Sequence, residues 1–279
     1  MKNRLKRIIA IITLFFFVPS FVFASANTHS AQFVAASSQA LYASSNLGWT
    51  GGAVTISGWF KLSSTGTNFQ LFDLNDNTNK VEFDSYLDNF GGATYKYAVN
   101  RAQIGIAGCT TGSTSVTLNT TTWHQYAATY DATNEKIYVD GTLVGGPLAC
   151  SGNGSAAAAN LFEIGRACTA GNCSTFGSYL DGFEDDVRAY SVDIGATAVA
   201  ALYNSPSNVT GSETNLTDGY NFNPDLTSDV GSGAHNLTNL NTVTQSTNVP
   251  FTGLSPVPPK VPNLINFSYY KPEHIFHLA

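Results

Sequence analysis

The sequence predicts an all-β fold, and three features carry the prediction. Short segments alternate apolar and polar residues with a period of two, the mark of pleated strands with distinct faces. Gly, Asn, Asp and Ser punctuate them at regular intervals, as in a sandwich or barrel. A sustained helical period occurs in one place, residues 193–203.

In chain order, Ser30 opens a strand, a turn falls at Ser37-Ser38, and a second strand follows. Val54–Leu62 alternates cleanly, with Val54, Ile56, Gly58 and Phe60 on one face and Thr55, Ser57, Trp59 and Lys61 on the other. Ser63–Asn68 is a loop, and Phe69–Leu74, Val81–Leu87, Tyr95–Val99 and Gln103–Ile106 read as further strands. The chain is organised around a meander from Trp123 to Val144. Tyr126, Ala128 and Tyr130 oppose Gln125, Ala127 and Thr129 on its first strand, and Ile137 and Val139 alternate with Lys136 and Tyr138 on its second. Asp131–Asn134 supplies one turn, and Asp140-Gly141 is a hairpin signal. Gly152–Ala159 is a Gly/Ser/Ala loop, and Leu161–Arg166 and Tyr179–Ser191 are strands. In the helical stretch Ile194, Ala198, Ala201 and Leu202 form a stripe that Asn204-Ser205-Pro206 ends, which predicts a cap over a sheet end.

Residues 1–26 read as a signal peptide: a basic head of Lys2, Arg4, Lys6 and Arg7, an apolar run, and Ala24-Ser25-Ala26 as cleavage site. A membrane anchor is the rival reading. No later segment is apolar enough to span a bilayer. Cleavage removes four of the 13 basic groups and none of the 19 acidic ones, taking the net charge from −6 to −10. Such a chain has no electrostatic footprint for nucleic acid, and its charge suits cation binding or solubility outside the cell. The rest, about 250 residues, can form one large β domain or two small ones. We assign residues 27–254 to the folded domain and 255–279, with Pro256, Pro258, Pro259, Pro262 and Pro272, to an extended tail. His274 and His277 in that tail could bind a metal, though a lone His pair in such a tail is more often incidental.

Four cysteines in an exported chain suggest two disulfides, with three possible connectivities. The expected pairs are Cys109–Cys150, flanking the meander, and Cys168–Cys173, clipping one loop. Cys-x2-Cys spacing and a nearby His are absent, which argues against zinc at the cysteines.

Five blocks then form an ordered pattern: VTISGWFK at 54–61, WHQYAATYD at 123–131, KIYVDGTLVGG at 136–146, FEIGR at 162–166 and LDGFEDDVRAYS at 180–191. Together they resemble the laminin-G-like domains of the concanavalin A-like lectin/glucanase superfamily, over roughly 30–203. The resemblance implies a two-sheet antiparallel jelly-roll sandwich with one short helix. Family members often open with an aromatic-x-aromatic strand and an acidic loop, which here resemble Asp218–Asn223 and Asp229–Asn239. Residues 216–246 are therefore expected to close the same sandwich in permuted order, or to be a truncated repeat.

Glucanases of this superfamily carry alternating carboxylates on one strand, and Glu82 and Asp84, sharing a face with Tyr86 and Asp88, come nearest. The last carboxylate is misplaced and the Trp-rich flanks of such enzymes are missing, so the expectation is a non-catalytic protein with a solvated strand face. A structural Ca²⁺ would draw on Asp185 with Asp229 and Asn236, if the permuted closure holds. A salt bridge from Asp185 to Arg188 is the competing reading. Tyr86, Tyr95, Tyr97 and Phe176 are candidates for stacking on sugar rings, with Trp49, Trp59 and Trp123 assigned to the core. The reading is a secreted or cell-surface binding or adhesion module for glycans or another cell-surface polymer. The alternatives are a glycoside hydrolase and a structural surface protein. Nothing in the sequence sets an oligomeric state.

Overall fold

The alternating segments become two antiparallel sheets whose apolar faces meet. The computed structural model describes residues 26–45, 47–75, 81–103, 106–150, 161–168 and 175–252. The expected signal segment up to Ser25, the loop 152–159, Cys173 and the proline-rich tail lie outside them.

In chain order the strands are β1 (Ser30–Phe33), β2 (Ala40–Ala43), β3 (Val54–Leu62), β4 (Phe69–Asn75), β5 (Val81–Asn89), β6 (Thr94–Gln103), β7 (Ile106–Gly112) and β8 (Val116–Thr117). They continue as β9 (His124–Tyr130), β10 (Asn134–Val139), β11 (Thr142–Ala149), β12 (Leu161–Ile164), β13 (Ala167–Cys168), β14 (Phe176–Gly177), β15 (Gly182–Tyr190), β16 (Leu216–Tyr220), β17 (Thr238–Leu240) and β18 (Thr244–Ser246). Helix α1 (Gly195–Asn204) lies between β15 and β16. The first sheet runs β11-β10-β9-β3-β15-β1-β18, with β16 also paired to β15. The second runs β17-β2-β12-β4-β5-β6-β7, with β8 on β6, and β13–β14 form a small separate ribbon. This is a jelly-roll sandwich.

The predicted inward set of β3 holds: Val54, Ile56 and Phe60 are buried in the core. So are Tyr126, Ala128 and Tyr130 of β9, and Ile137 and Val139 of β10. From the second sheet Phe72, Phe83 and Tyr97 meet them, and ring centroids stand 5.7 Å apart for Phe72–Phe83, 6.1 Å for Phe72–Tyr126 and 5.9 Å for Phe60–Tyr97. Each such ring contributes about 1.5–3 kcal/mol on burial. Gly58 faces the same core, and a Cβ there would stand 2.8 Å from the Tyr126 hydroxyl, so the missing side chain makes room for the phenol. Asp140 and Gly141 both have positive φ (48° and 73°), the conformation that a two-residue hairpin turn requires.

Four details differ from expectation. The meander forms one edge of the first sheet rather than its centre, with β11 outermost. Gln103–Ile106 is not a strand of its own, since β6 ends at Gln103 and β7 begins at Ile106. The helix does not cap a sheet end. Its Val199 packs on Ala127 and Tyr138, outward-facing residues of β9 and β10, while Ala201 is exposed. Tyr203 stacks on Trp59 with centroids 5.7 Å apart, so Trp59 is buried beneath the helix and not between the sheets. Lys136 tethers the helix start through Asp193 at 2.7 Å.

The C-terminal part joins both sheets. β16 pairs with the second half of β15, β18 pairs with β1, and β17 pairs with β2. Cys109 and Cys150 form a disulfide with Cα atoms 5.8 Å apart. Cys168 is also disulfide-bonded, and its expected partner Cys173 lies outside the described residues.

Candidate functional site

Register, not local sequence, assembles the site. Across the second sheet the pairing sets Tyr42 opposite Glu163, Glu163 opposite Asp73, Asp73 opposite Asp84, Asp84 opposite Asn100 and Asn100 opposite Thr110. Their chain neighbours Leu41, Phe162, Phe72, Phe83 and Val99 all lie in the core, so the row occupies the outer face. Glu82, Tyr86 and Asp88 flank Asp84 on that face. The structure thus keeps Glu82, Asp84 and Tyr86 together and adds Asp73 and Glu163.

Carboxylates directly opposite one another repel, and these are also shielded from water. Asp73 and Glu163 are fully buried, and Asp84 is nearly so. Cys168 N–H donates to Asp73 Oδ2 at 2.8 Å, and Gln70 Nε2 donates to Asp84 Oδ2 at 2.9 Å. Arg166 pairs with Glu163 Oε1. One oxygen of each acid, Asp73 Oδ1, Asp84 Oδ1 and Glu163 Oε2, is buried with no hydrogen-bond partner. Burial pushes Glu82 up to about 8, helped by the charge of Asp84. Burial raises Asp84 to about 7 against hydrogen bonds from Gln70 and Asn100, and raises Glu163 to about 7 against Arg166. Asp73 is raised well above the carboxylate range by burial, then by Glu82 and Asp84. Near neutral pH the row holds protonated acids, able to donate as well as accept.

Aromatic rings border the row. The Arg166 guanidinium stacks 3.7 Å from the centroid of half-buried Phe176 and 5.5 Å from that of Tyr42. Tyr86 is half-buried. Phe90, at the β5–β6 turn, is 56% exposed, with Lys96 Nζ 4.6 Å from its centroid. Two sequence candidates fall away: Tyr95 and Tyr97 point into the core with Phe69 and Phe60 and offer no face to a sugar. Sequence reading missed Tyr42, Asp73, Glu163, Arg166 and Phe90. Lone acids inside the apolar runs FQLFDLN and LFEI, and an aromatic in an Asn-Phe-Gly-Gly turn, were the available signals.

The acidic run 184–186 divides three ways. Glu184 lies opposite Phe60 and points into the core beside Tyr126, where burial holds its carboxyl well above the usual range. Asp185 lies opposite Trp59 on the outer face and accepts from Asn27 Nδ2 at 2.8 Å. Asp186, at a bulge with φ 50°, takes the ion pair with Arg188 at 2.7 Å that was expected of Asp185. Burial is the largest influence on Asp186, raising its pKa against Arg188. Of the residues expected to hold Ca²⁺, Asp229 and Asn236 come together and Asp185 does not join them. Both oxygens of Asp229 accept backbone N–H groups, and Asn236 Oδ1 accepts from Asp229 N–H at 3.0 Å. Asp185 is not part of the cluster that forms around Asp229.

A cavity of about 150 Å³ opens elsewhere, lined by Leu47, Trp49, Val54, Leu74 and Ala189, with no charged side chain on its wall.

Residues 35–200 match the concanavalin A-like lectin/glucanases superfamily, and the chain belongs to it. Among solved structures it resembles a Bacteroides ovatus ATCC 8483 protein named as a candidate carbohydrate-binding protein, at 17% identity and TM-score 0.59. The likeness covers 82% of this chain and 62% of that one, so the chain spans under two thirds of that relative's length. A heptameric SAP-like pentraxin of Limulus polyphemus shares 11% identity at TM-score 0.57, covering 78% of this chain and 94% of that one. Domains LG4-5 of the mouse laminin α1 chain share 16% identity at TM-score 0.41, covering 61% and 42%. The first two are likenesses of fold. No curated protein matches the chain by sequence. Among the described residues no helix is long and apolar enough to cross a membrane.

Proposed function

We propose that this chain is an exported carbohydrate-binding module whose ligand lies on the outer face of the second sheet. One observation carries the reading: half-buried or exposed rings, Tyr42, Tyr86, Phe90 and Phe176, border a row of acidic side chains on one sheet face. Sugars offer such a surface C–H faces for the rings and hydroxyl groups for the half-buried Glu82 and Asp88 carboxyls. The row is neutral to negative, which disfavours sulfated or uronic-acid glycans and favours neutral or amino sugars. The printed name of the Bacteroides ovatus protein agrees with this reading. A signal-like N-terminus and the Cys109–Cys150 disulfide support export.

A glycan array probed with the full chain, with Ca²⁺ and again with EDTA, tests the proposal. Binding to neutral or amino-sugar glycans is expected, weakened about tenfold by Tyr86→Ala and Asp84→Asn. Silence on a folded sample, or binding only to acidic glycans, overturns it.

The second reading is hydrolysis, favoured by Glu82 and Asp84 sharing one face as raised-pKa acids, since glycosidases work with a protonated carboxyl beside a second one. Release of reducing ends that Glu82→Gln abolishes would convert the binding module into an enzyme. Its absence from glycans that do bind leaves the first reading.

A further inference from the structure

A second cluster stands apart from that face, where β16 meets the segment leading to β17. One ligand atom each from Asp218, Asp229 and His235 lies within 4.8 Å of the other two. Asp218 is fully buried. Its Oδ1 stands 2.7 Å from His235 Nδ1, while its Oδ2 is sealed from solvent with no hydrogen-bond partner. Asp229 is held rigidly beside it: Oδ1 accepts the N–H groups of Gly219 and Gly231 at 2.9 and 2.7 Å, and Oδ2 accepts that of His235 at 2.9 Å. Tyr220 Oη donates to His235 O at 2.8 Å, fixing the His backbone. At Gly233 a Cβ would come 2.4 Å from Asp218 Oδ1 and 2.7 Å from His235 Nδ1, so glycine keeps those two ligand atoms clear. The His235 side chain is 27% exposed, which leaves an entry path.

Two carboxylates in contact and largely out of water require a positive charge between them, supplied by a proton, by imidazolium or by a metal ion. The donor set decides the class of ion. Ca²⁺ takes six to eight oxygens, whereas two carboxylates and one imidazole in a tight group suit a first-row transition ion with water at its remaining position. We propose that Asp218, Asp229 and His235 bind a divalent ion of the zinc type, which pins the segment 229–235 onto β16. The backbone donors to Asp229 and the Tyr220 bond to His235 orient the ligands from outside.

Isothermal titration of the EDTA-treated full chain with Zn²⁺ alone, and separately with Ca²⁺ and Mg²⁺, tests this. One equivalent of Zn²⁺ should bind with a rise in melting temperature, while Ca²⁺ and Mg²⁺ at millimolar levels leave both unchanged. Asp218→Asn and His235→Gln should each weaken Zn²⁺ binding by more than about tenfold. His235→Gln, at a partly exposed position, is the variant expected to keep its fold, checked by circular dichroism. Failure of Zn²⁺ to bind, or binding unchanged in folded His235→Gln and in Asp218→Asn, overturns the proposal. The second result would move the ion elsewhere, with His274 and His277 the first residues to check.

Discussion

Asp84 shows at the scale of one residue what the outer face demands. One of its two cross-strand partners is another acid, Asp73, and one of its own oxygens has no donor. For Glu82, Asp84 and Glu163 the folded state raises the pKa to about 8, 7 and 7, from ordinary values of 4.5, 3.8 and 4.5. The folded chain therefore binds more protons than the unfolded one between those limits, and stability falls as pH rises through that window. We expect unfolding free energy to be highest near pH 4 and to decline toward pH 8. Urea melts at stepped pH will measure it, and Glu82→Gln should flatten the slope. A pH-independent midpoint would mean that water reaches the row freely. The sequence disclosed Glu82, Asp84 and Tyr86 as one face because they alternate on one strand. It did not disclose Glu163 and Asp73, because their meeting depends on the register of strands far apart in the chain.

Among the elements, β3 and β9 were the most legible. Their inward sets are strictly periodic and one face is fully buried, so register and face fix each other. Helix α1 was legible as a helix but not in its docking. Its apolar residues are small and nearly all round, so the stripe was ambiguous, and the surface that selects Val199 is the outward side of β9 and β10. Val199→Ala should cost about 1.5 kcal/mol and loosen the helix without disturbing the sandwich. Hydrogen exchange should then quicken at Ala200–Asn204 and stay slow in β3 and β9. Equal loss of protection in both would show that helix and sheets unfold as one unit.

On the scale of the whole molecule, one short segment works on both sheets. β17 borders β2 in the second sheet, and four residues later β18 borders β1 in the first. Between them Asn241 and Thr242 have positive φ, and the buried Gln39 side chain donates to their carbonyls at 3.1 and 2.8 Å while accepting from Val34 N–H at 2.7 Å. Gln39→Ala removes all three bonds and should lower stability by about 2 kcal/mol, with faster exchange at Asn239 and Gln245. Unchanged exchange there would show that the edge pairing alone holds the segment. None of this was visible in single residues, since nothing local links Gln39 to a turn two hundred positions away.

This edge pairing also sets an order in time. Ser30 meets Ser246 and Tyr42 meets Thr238, so the early strands wait for partners about two hundred residues later. Until residue 240 has emerged the second sheet lacks its edge strand β17, and until residue 246 has emerged the first lacks β18. Pairing over such a span is intrinsically slow.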